Sequence, residues 1–294
     1  MPIATHTTVH FNRDGRVYPA PAVGVGVVVD PSASAGGFPD ETNTGWEPTG
    51  VTLTVVNEDP FYVTTPGAVI DSLDIRGMVF VMAANVTIKR CKITSGNQPM
   101  VKTYEPDGSG GLNDLAVGLL IEDTEFDGMS NEDSTGIGGN GYYTLRRCNL
   151  HHIGSGARLG NEVVVEDNYV HDIVSTLTSH NGGFPVDAGV DVTIRHNTIL
   201  MDSGNGYVIA SYNGIPDGNV VSDVLIENNF LAGGNYIVYG GSPGNVTPNL
   251  RVLNNKFSRM FFANGGFFGP AANCSDVAEW SGNVWADTGD PVVP

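Results

Sequence analysis

Three observations predict an all-β protein, a right-handed parallel β-helix. An eight-residue phrase recurs nine times, its apolar residues follow a period of two, and asparagine returns at its sixth place. The expected solenoid has about nine to ten coils behind a short N-terminal extension. Each phrase supplies one coil, and successive coils stack about 4.8 Å apart.

The phrase is clearest at residues 192–199, which read VTIRHNTI. Residues 163–170 (VVVEDNYV), 224–231 (VLIENNFL) and 250–257 (LRVLNNKF) repeat it. Residues 86–93 (VTIKRCKI), 119–126 (LLIEDTEF) and 143–150 (YTLRRCNL) carry Cys or Thr in the asparagine place. Residues 68–75 (AVIDSLDI) and 278–285 (AEWSGNVW) fit more loosely at the two ends. A helical repeat needs a period near 3.6 and good helix formers, whereas these units carry Val, Ile, Thr and Gly.

The sixth place argues against a sandwich. It holds Asn168, Asn197, Asn229, Asn255 and Asn283 in five consecutive units. Asparagine tolerates a left-handed bend and can form a coil-to-coil hydrogen-bonded ladder, so both roles are expected there. The fourth place runs Lys89, Glu122, Arg146, Glu166, Arg195, Glu227, and the fifth runs Arg90, Asp123, Arg147, Asp167, His196. This alternation of sign sets register on an outer surface, and each exposed pair contributes at most about 1 kcal/mol.

Residues 1–50 lie outside the repeat, and residues 51–290 are expected to form the β-helix. Residues 6–30 alternate around Asp14-Gly15 and predict a hairpin, followed by a linker rich in Pro, Ser, Gly and Thr. This segment is expected to cap the solenoid end or to dock it onto something larger. Residues 51–67 predict an irregular first coil. Short apolar stretches at 79–82, 184–188, 207–212 and 236–239 predict a second sheet. The longest insertions fall at 97–114, 176–183, 213–222 and 261–275.

The net charge is −18, from 14 Lys plus Arg against 32 Asp plus Glu. That excludes a phosphate-backbone partner, so no nucleic acid is expected. No cofactor is expected either, although the carboxylate excess leaves room for Ca²⁺. No basic region followed by an apolar run opens the chain, and no apolar run reaches the length of a membrane span. Cys91 and Cys148 share the sixth place two coils apart, beyond disulfide reach. Both are expected to be small buried wall residues, with Cys274 a free thiol.

Two clusters could carry chemistry. Asp127, His151 and His171 take the ninth place in consecutive coils, with His152 and Asp172 beside them. Such a column suits a divalent metal or acid–base work on a sugar. With no carboxylate expected in the adjacent ligand positions, solvated turn histidines are the favoured reading. The second cluster is the loop of Ser179, His180, Asn181, Gly182 and Gly183 leading to Asp187, with Arg158, Tyr212 and Tyr239 from neighbouring coils. Rings, an arginine and an aspartate on one strand face suit a carbohydrate, whereas the plain alternative is a turn beside an Arg158–Asp187 pair.

Phe38-Pro39-Asp40-Glu41-Thr42-Asn43-Thr44-Gly45, Gly67-Ala68-Val69-Ile70-Asp71 and Asn85-Val86-Thr87-Ile88 resemble a family of right-handed, pectate-lyase-like β-helix proteins. The family occurs among secreted actinobacterial proteins and tail proteins of phages that infect actinobacteria. The resemblance covers about residues 37–285, and the N-terminal motif is its more specific part. Relatives often carry Ser-His-Thr-Asp-Gly-Ile-Gln at the start of a central strand. Ser179 and His180 match, while Gly182 and Pro185 replace the Asp and the Gln.

The resemblance implies a phage tail-associated, receptor-binding protein that recognises a host cell-surface polysaccharide. It further implies a homotrimer, other tail proteins as partners, and a virion location exposed to the medium, with secretion as the alternative. The competing expectation is a polysaccharide lyase or glycoside hydrolase, with Asp187, His180 and Arg158 as catalytic candidates. Tyr212, Tyr239, His151 and His171 would then bind substrate. A purely structural spike or baseplate piece is the third reading.

Overall fold

The computed structural model describes residues 37–103, 116–139, 141–176, 178–213 and 220–294, together with an antiparallel pair of His10–Phe11 with Val17–Tyr18. That pair falls where the hairpin is expected, and the rest of residues 1–36 lies outside the described residues. From Thr54 onward the chain winds as a parallel β-helix.

Each phrase forms two short strands rather than one. The first strands stack as a nine-stranded parallel ladder from Val69–Asp71 to Glu279–Ser281, one strand per phrase. Their third places meet in unbroken register: Ile70, Ile88, Ile121, Leu145, Val165, Ile194, Ile226, Val252 and Trp280. The second strands stack beside them with the eighth places aligned, Ile75, Ile93, Phe126, Leu150, Val170, Ile199, Leu231, Phe257 and Trp285. A third ladder contains Val79–Val81, Gly182–Val186, Tyr207–Ser211 and Tyr236–Tyr239. Strands Glu125–Gly138 and Asn149–Ala157 run through both and merge the second and third ladders into one sheet. The two faces expected from the sequence are therefore three. Thr54–Val56 and Phe61–Val63 form the irregular coil ahead of the first phrase.

The phrase divides because its fifth residue adopts a left-handed backbone. Ser72, Arg90, Asp123, Arg147, Asp167, His196, Asn228, Asn254 and Gly282 all have φ between 48° and 66°. This corrects the expectation that the sixth-place asparagine makes the bend. The asparagines act only as the ladder. Asn197 offers its backbone N–H and its Nδ2 to Asn229 Oδ1, at 2.9 and 3.0 Å. The same pattern links Asn168 to Asn197, Asn229 to Asn255 and Asn255 to Asn283. Each Nδ2 also donates to the third-place carbonyl one coil back, as from Asn229 to Ile194 at 2.9 Å. All five asparagines are buried, so every side-chain polar atom they carry needs such a partner.

Outside the bend, charges pair between coils as the alternation predicts. Arg146 and Arg147 lie 2.7 and 2.8 Å from Glu122, and Arg195 lies 2.5 Å from Glu166. Cys91, Cys148 and Cys274 are free and buried.

Residues 37–50 lie along the flank of the solenoid. Asp40 closes a tight turn, accepting hydrogen bonds from the backbone and hydroxyl of Thr42. Phe38 packs on His196 and Phe230, with ring centroids 5.2 and 6.0 Å away. Gly45 donates its N–H to the Arg147 carbonyl. It has φ 77°, and a Cβ there would stand 3.1 Å from Asn149 Cβ, so a side chain would press on the ladder. Trp46 then donates Nε1–H to Glu125 Oε2 at 2.7 Å.

Candidate functional site

Past each bend the second ladder turns its seventh and ninth places outward, since the eighth is buried in the core. In three consecutive coils these places hold Glu125 with Asp127, Asn149 with His151, and Tyr169 with His171. His151 Nε2 lies 3.0 Å from Glu125 Oε1, and His171 Nε2 lies 2.9 Å from Asn149 Oδ1. Each histidine thus leans on the seventh place of the coil before it. Its Nδ1 meets the residue that follows it: His151 faces His152 Nδ1 at 2.8 Å, and His171 faces Asp172 Oδ2 at 2.8 Å. His152 and Asp172 have φ 49° and 48°, and this left-handed step brings each side chain back beside its neighbour's ring. The rings stack outward in series, His151 on His171 at 5.4 Å and His171 on Tyr169 at 4.1 Å.

Burial pushes the Glu125 carboxyl up, but hydrogen bonds from His151 and Lys92 outweigh it and hold it at about 2. Its charge is therefore fixed. His171 is pushed below the ordinary imidazole value by burial, with Asp172 opposing. The expectation of solvated turn histidines is corrected here. The His151 and His171 side chains are only 13% and 19% exposed. The carboxylate that the sequence reading found missing is Glu125, one coil away.

The second cluster lies on the third ladder. Arg158 Nη1 stands 2.6 Å from Asp187 Oδ2, both at the exit of their strands. Tyr212 follows at the end of the next strand and packs against Tyr207 and Tyr239, at 6.3 and 6.4 Å between centroids. Tyr207 stacks on Tyr239 at 4.6 Å. Burial raises the Tyr207, Tyr212 and Tyr239 hydroxyls above their ordinary value, so all three stay neutral. The result is a half-buried aromatic patch beside an ion pair, carried on rigid strands.

His180 does not join this group. It is exposed, at the entry of strand Gly182–Val186, whereas Asp187 follows its exit. Of the three catalytic candidates, Arg158 and Asp187 form an ion pair, and His180 lies on the exposed loop ahead of the strand. Its loop is anchored by Asn181, which donates to the carbonyls of Val174 and Glu132.

The match to a family model settles the class. Residues 76–257 match the model described as a right handed beta helix region. The chain belongs to the right-handed β-helix family. Among solved structures, the A-module of the mannuronan C-5 epimerase AlgE4 of Azotobacter vinelandii is similar at 12% identity, over 72% of this chain and 70% of that one, with a TM-score of 0.23. No curated protein matches.

In this β-helix, sequence reasoning missed Glu125, Trp46 and Tyr207. Glu125 could have been found from the period of two, because the seventh and ninth places must share a face. Nothing local marks Trp46, whose partner is 79 positions away. Among the described residues no helix is long and apolar enough to cross a membrane.

Proposed function

We propose that this protein binds a polysaccharide along the third ladder. Tyr207, Tyr212 and Tyr239 would stack on sugar rings, and the Arg158–Asp187 pair would hydrogen-bond to hydroxyls. The observation that carries the reading is the packed tyrosine cluster: three rings held against one another on adjacent strands next to a preformed charge pair. Rings fixed in this way lose little entropy when a sugar covers them. Binding demands less than cleavage. Hydrolysis needs two opposed carboxyl groups roughly 5–9 Å apart, and the third-ladder cluster offers Asp187, already tied to Arg158. A net charge of −18 also favours a neutral glycan over a polyanion.

In its finer form the proposal is a phage tail-associated receptor-binding protein, exposed on the virion, homotrimeric and attached to other tail proteins. Its support is the resemblance carried by the motif at residues 38–45. That motif belongs to the strap on the solenoid flank, so it marks how the fold is clasped.

The test is titration with isolated actinobacterial cell-wall glycans, by calorimetry and by assays for new reducing ends and unsaturated products. Saturable binding without products is expected, weakened about tenfold in Tyr239→Ala, equivalent to about 1.4 kcal/mol. Turnover lost in Asp187→Ala would replace this reading with the enzyme. Sedimentation of the intact chain at three times its monomer mass is the expected result for the trimer.

A further inference from the structure

We infer that Asp127, His151 and His152 form a binding site for a divalent first-row transition ion of the zinc, cobalt or nickel type. One carboxylate oxygen and one ring nitrogen from each histidine lie within 4.8 Å of one another. Two backbone devices bring them together. Parallel register sets Asp127 beside His151, and the left-handed His152 turns its ring back to the same spot. His152 Nδ1 is 2.8 Å from His151 Nδ1 and 3.8 Å from Asp127 Oδ1.

A second observation points to a ligand. His151 Nε2 faces a carboxylate, and a carboxylate accepts, so Nε2 carries the hydrogen and Nδ1 presents its lone pair to the cluster. Glu125 is itself held by Lys92 and by Trp46 from the strap. This carboxylate–histidine arrangement orients the imidazoles of metal centres. In the ion-free state the two facing Nδ1 atoms share one proton, supplied by His152. An ion between them takes both lone pairs, and the His152 proton moves to Nε2, which has access to solvent because the side chain is half exposed.

The next coil serves as an internal comparison. It repeats the geometry, but His171 Nδ1 meets Asp172 and its Nε2 meets Asn149, which leaves one imidazole and one carboxylate. Two imidazoles and a carboxylate favour zinc, cobalt or nickel, whereas calcium and magnesium require more oxygens. Three protein ligands leave coordination positions open on the exposed side.

The experiment is calorimetric titration of the untagged, metal-stripped full chain with ZnCl₂ and with CaCl₂. The visible absorption of the Co²⁺ form reports coordination by nitrogen. We expect one zinc ion per chain and d–d bands from Co²⁺. We expect zinc affinity to fall at least a hundredfold in His152→Ala and in Asp127→Asn, each with an unchanged circular dichroism spectrum and melting temperature. In Glu125→Gln, binding should weaken by about ten- to a hundredfold. The inference is overturned by the absence of saturable zinc binding, by undiminished binding in His152→Ala, or by calcium binding in preference to zinc.

Discussion

The fifth and sixth residues of each phrase divide two jobs that asparagine could have done alone. The fifth takes the left-handed backbone, and its identity ranges over Ser, Arg, Asp, His, Asn and Gly. The sixth supplies hydrogen bonds in the interior, and from Asn168 onward it is asparagine in every phrase. Holding a non-glycine residue left-handed costs on the order of 1 kcal/mol, which the surrounding ladders offset. Losing a sixth-place asparagine costs more. Asn229→Ala takes a hydrogen-bond partner from the Ile194 carbonyl and from the Asn197 backbone N–H in a buried column, while Asn197 Nδ2 keeps the carbonyls of Val165 and Arg195. At about 1–3 kcal/mol for each unsatisfied group, the expected loss is at least about 2 kcal/mol, measured by urea unfolding. The cysteines at the same place behave as wall residues. Burial raises the Cys91 thiol to about 11 and pushes Cys148 higher still. Mass spectrometry should therefore find neither alkylated in the native protein at pH 8 and both alkylated, without prior reduction, once it is denatured. A Cys91–Cys148 bridge would contradict the coil register.

At the scale of the element, charges on the outer edge of the first ladder set the coil register. Glu122 meets two arginines of the next coil. Burial raises its carboxyl, but Arg146 and then Arg147 outweigh that and leave it below the ordinary value. A carboxyl depressed in the folded state stabilises the fold above its unfolded pKa, and that contribution is lost as pH falls through the folded one. The window therefore lies below about pH 4.5. Denaturant melts between pH 6 and 2 should show a steeper acid loss for the native chain than for Glu122→Gln. Parallel curves would show that the pair has no thermodynamic weight. The strap at residues 37–50 is a second element with its own logic. It covers Glu125 with Trp46 and seats Phe38 on Phe230, and so clasps coils far apart in sequence.

The whole molecule is a one-dimensional stack in which each coil touches only its neighbours, so the cost of a change depends on where it falls. Ile194 sits in the central phrase and is fully buried, with Val165 and Ile226 as register partners on either side. Ile194→Ala should cost about 2–5 kcal/mol and lower protection from hydrogen exchange in the coils on both sides. Trp285 sits in the last phrase and is half-buried. Trp285→Ala should loosen only the final coils while the central amides keep their protection. Uniform loss of protection in both variants would show that the solenoid unfolds as a single unit.

Much of this fold was legible because a stacked repeat writes its register into the chain. The third, sixth and eighth places recur with the same chemistry, and parallel stacking turns such recurrence directly into contact. The sequence alone therefore determined the solenoid, the coil order, the asparagine ladder, the buried cysteines and the pairing of alternating charges. It also placed Asp127, His151 and His171 in one column and Arg158 near Asp187. It did not determine where the bend falls within the phrase, because φ is set by the surrounding ladders and tolerates six residue types at the fifth place. It did not join His151 to Glu125, because that contact crosses coils and shifts by one outward position. It placed His180 with Asp187 on nearness in sequence, whereas the two flank opposite ends of strand Gly182–Val186. Only the tertiary structure laid residues 37–50 along the flank. A segment without the repeat has no register to read, and its place is decided by the surfaces it covers, Glu125 under Trp46 and Phe230 under Phe38.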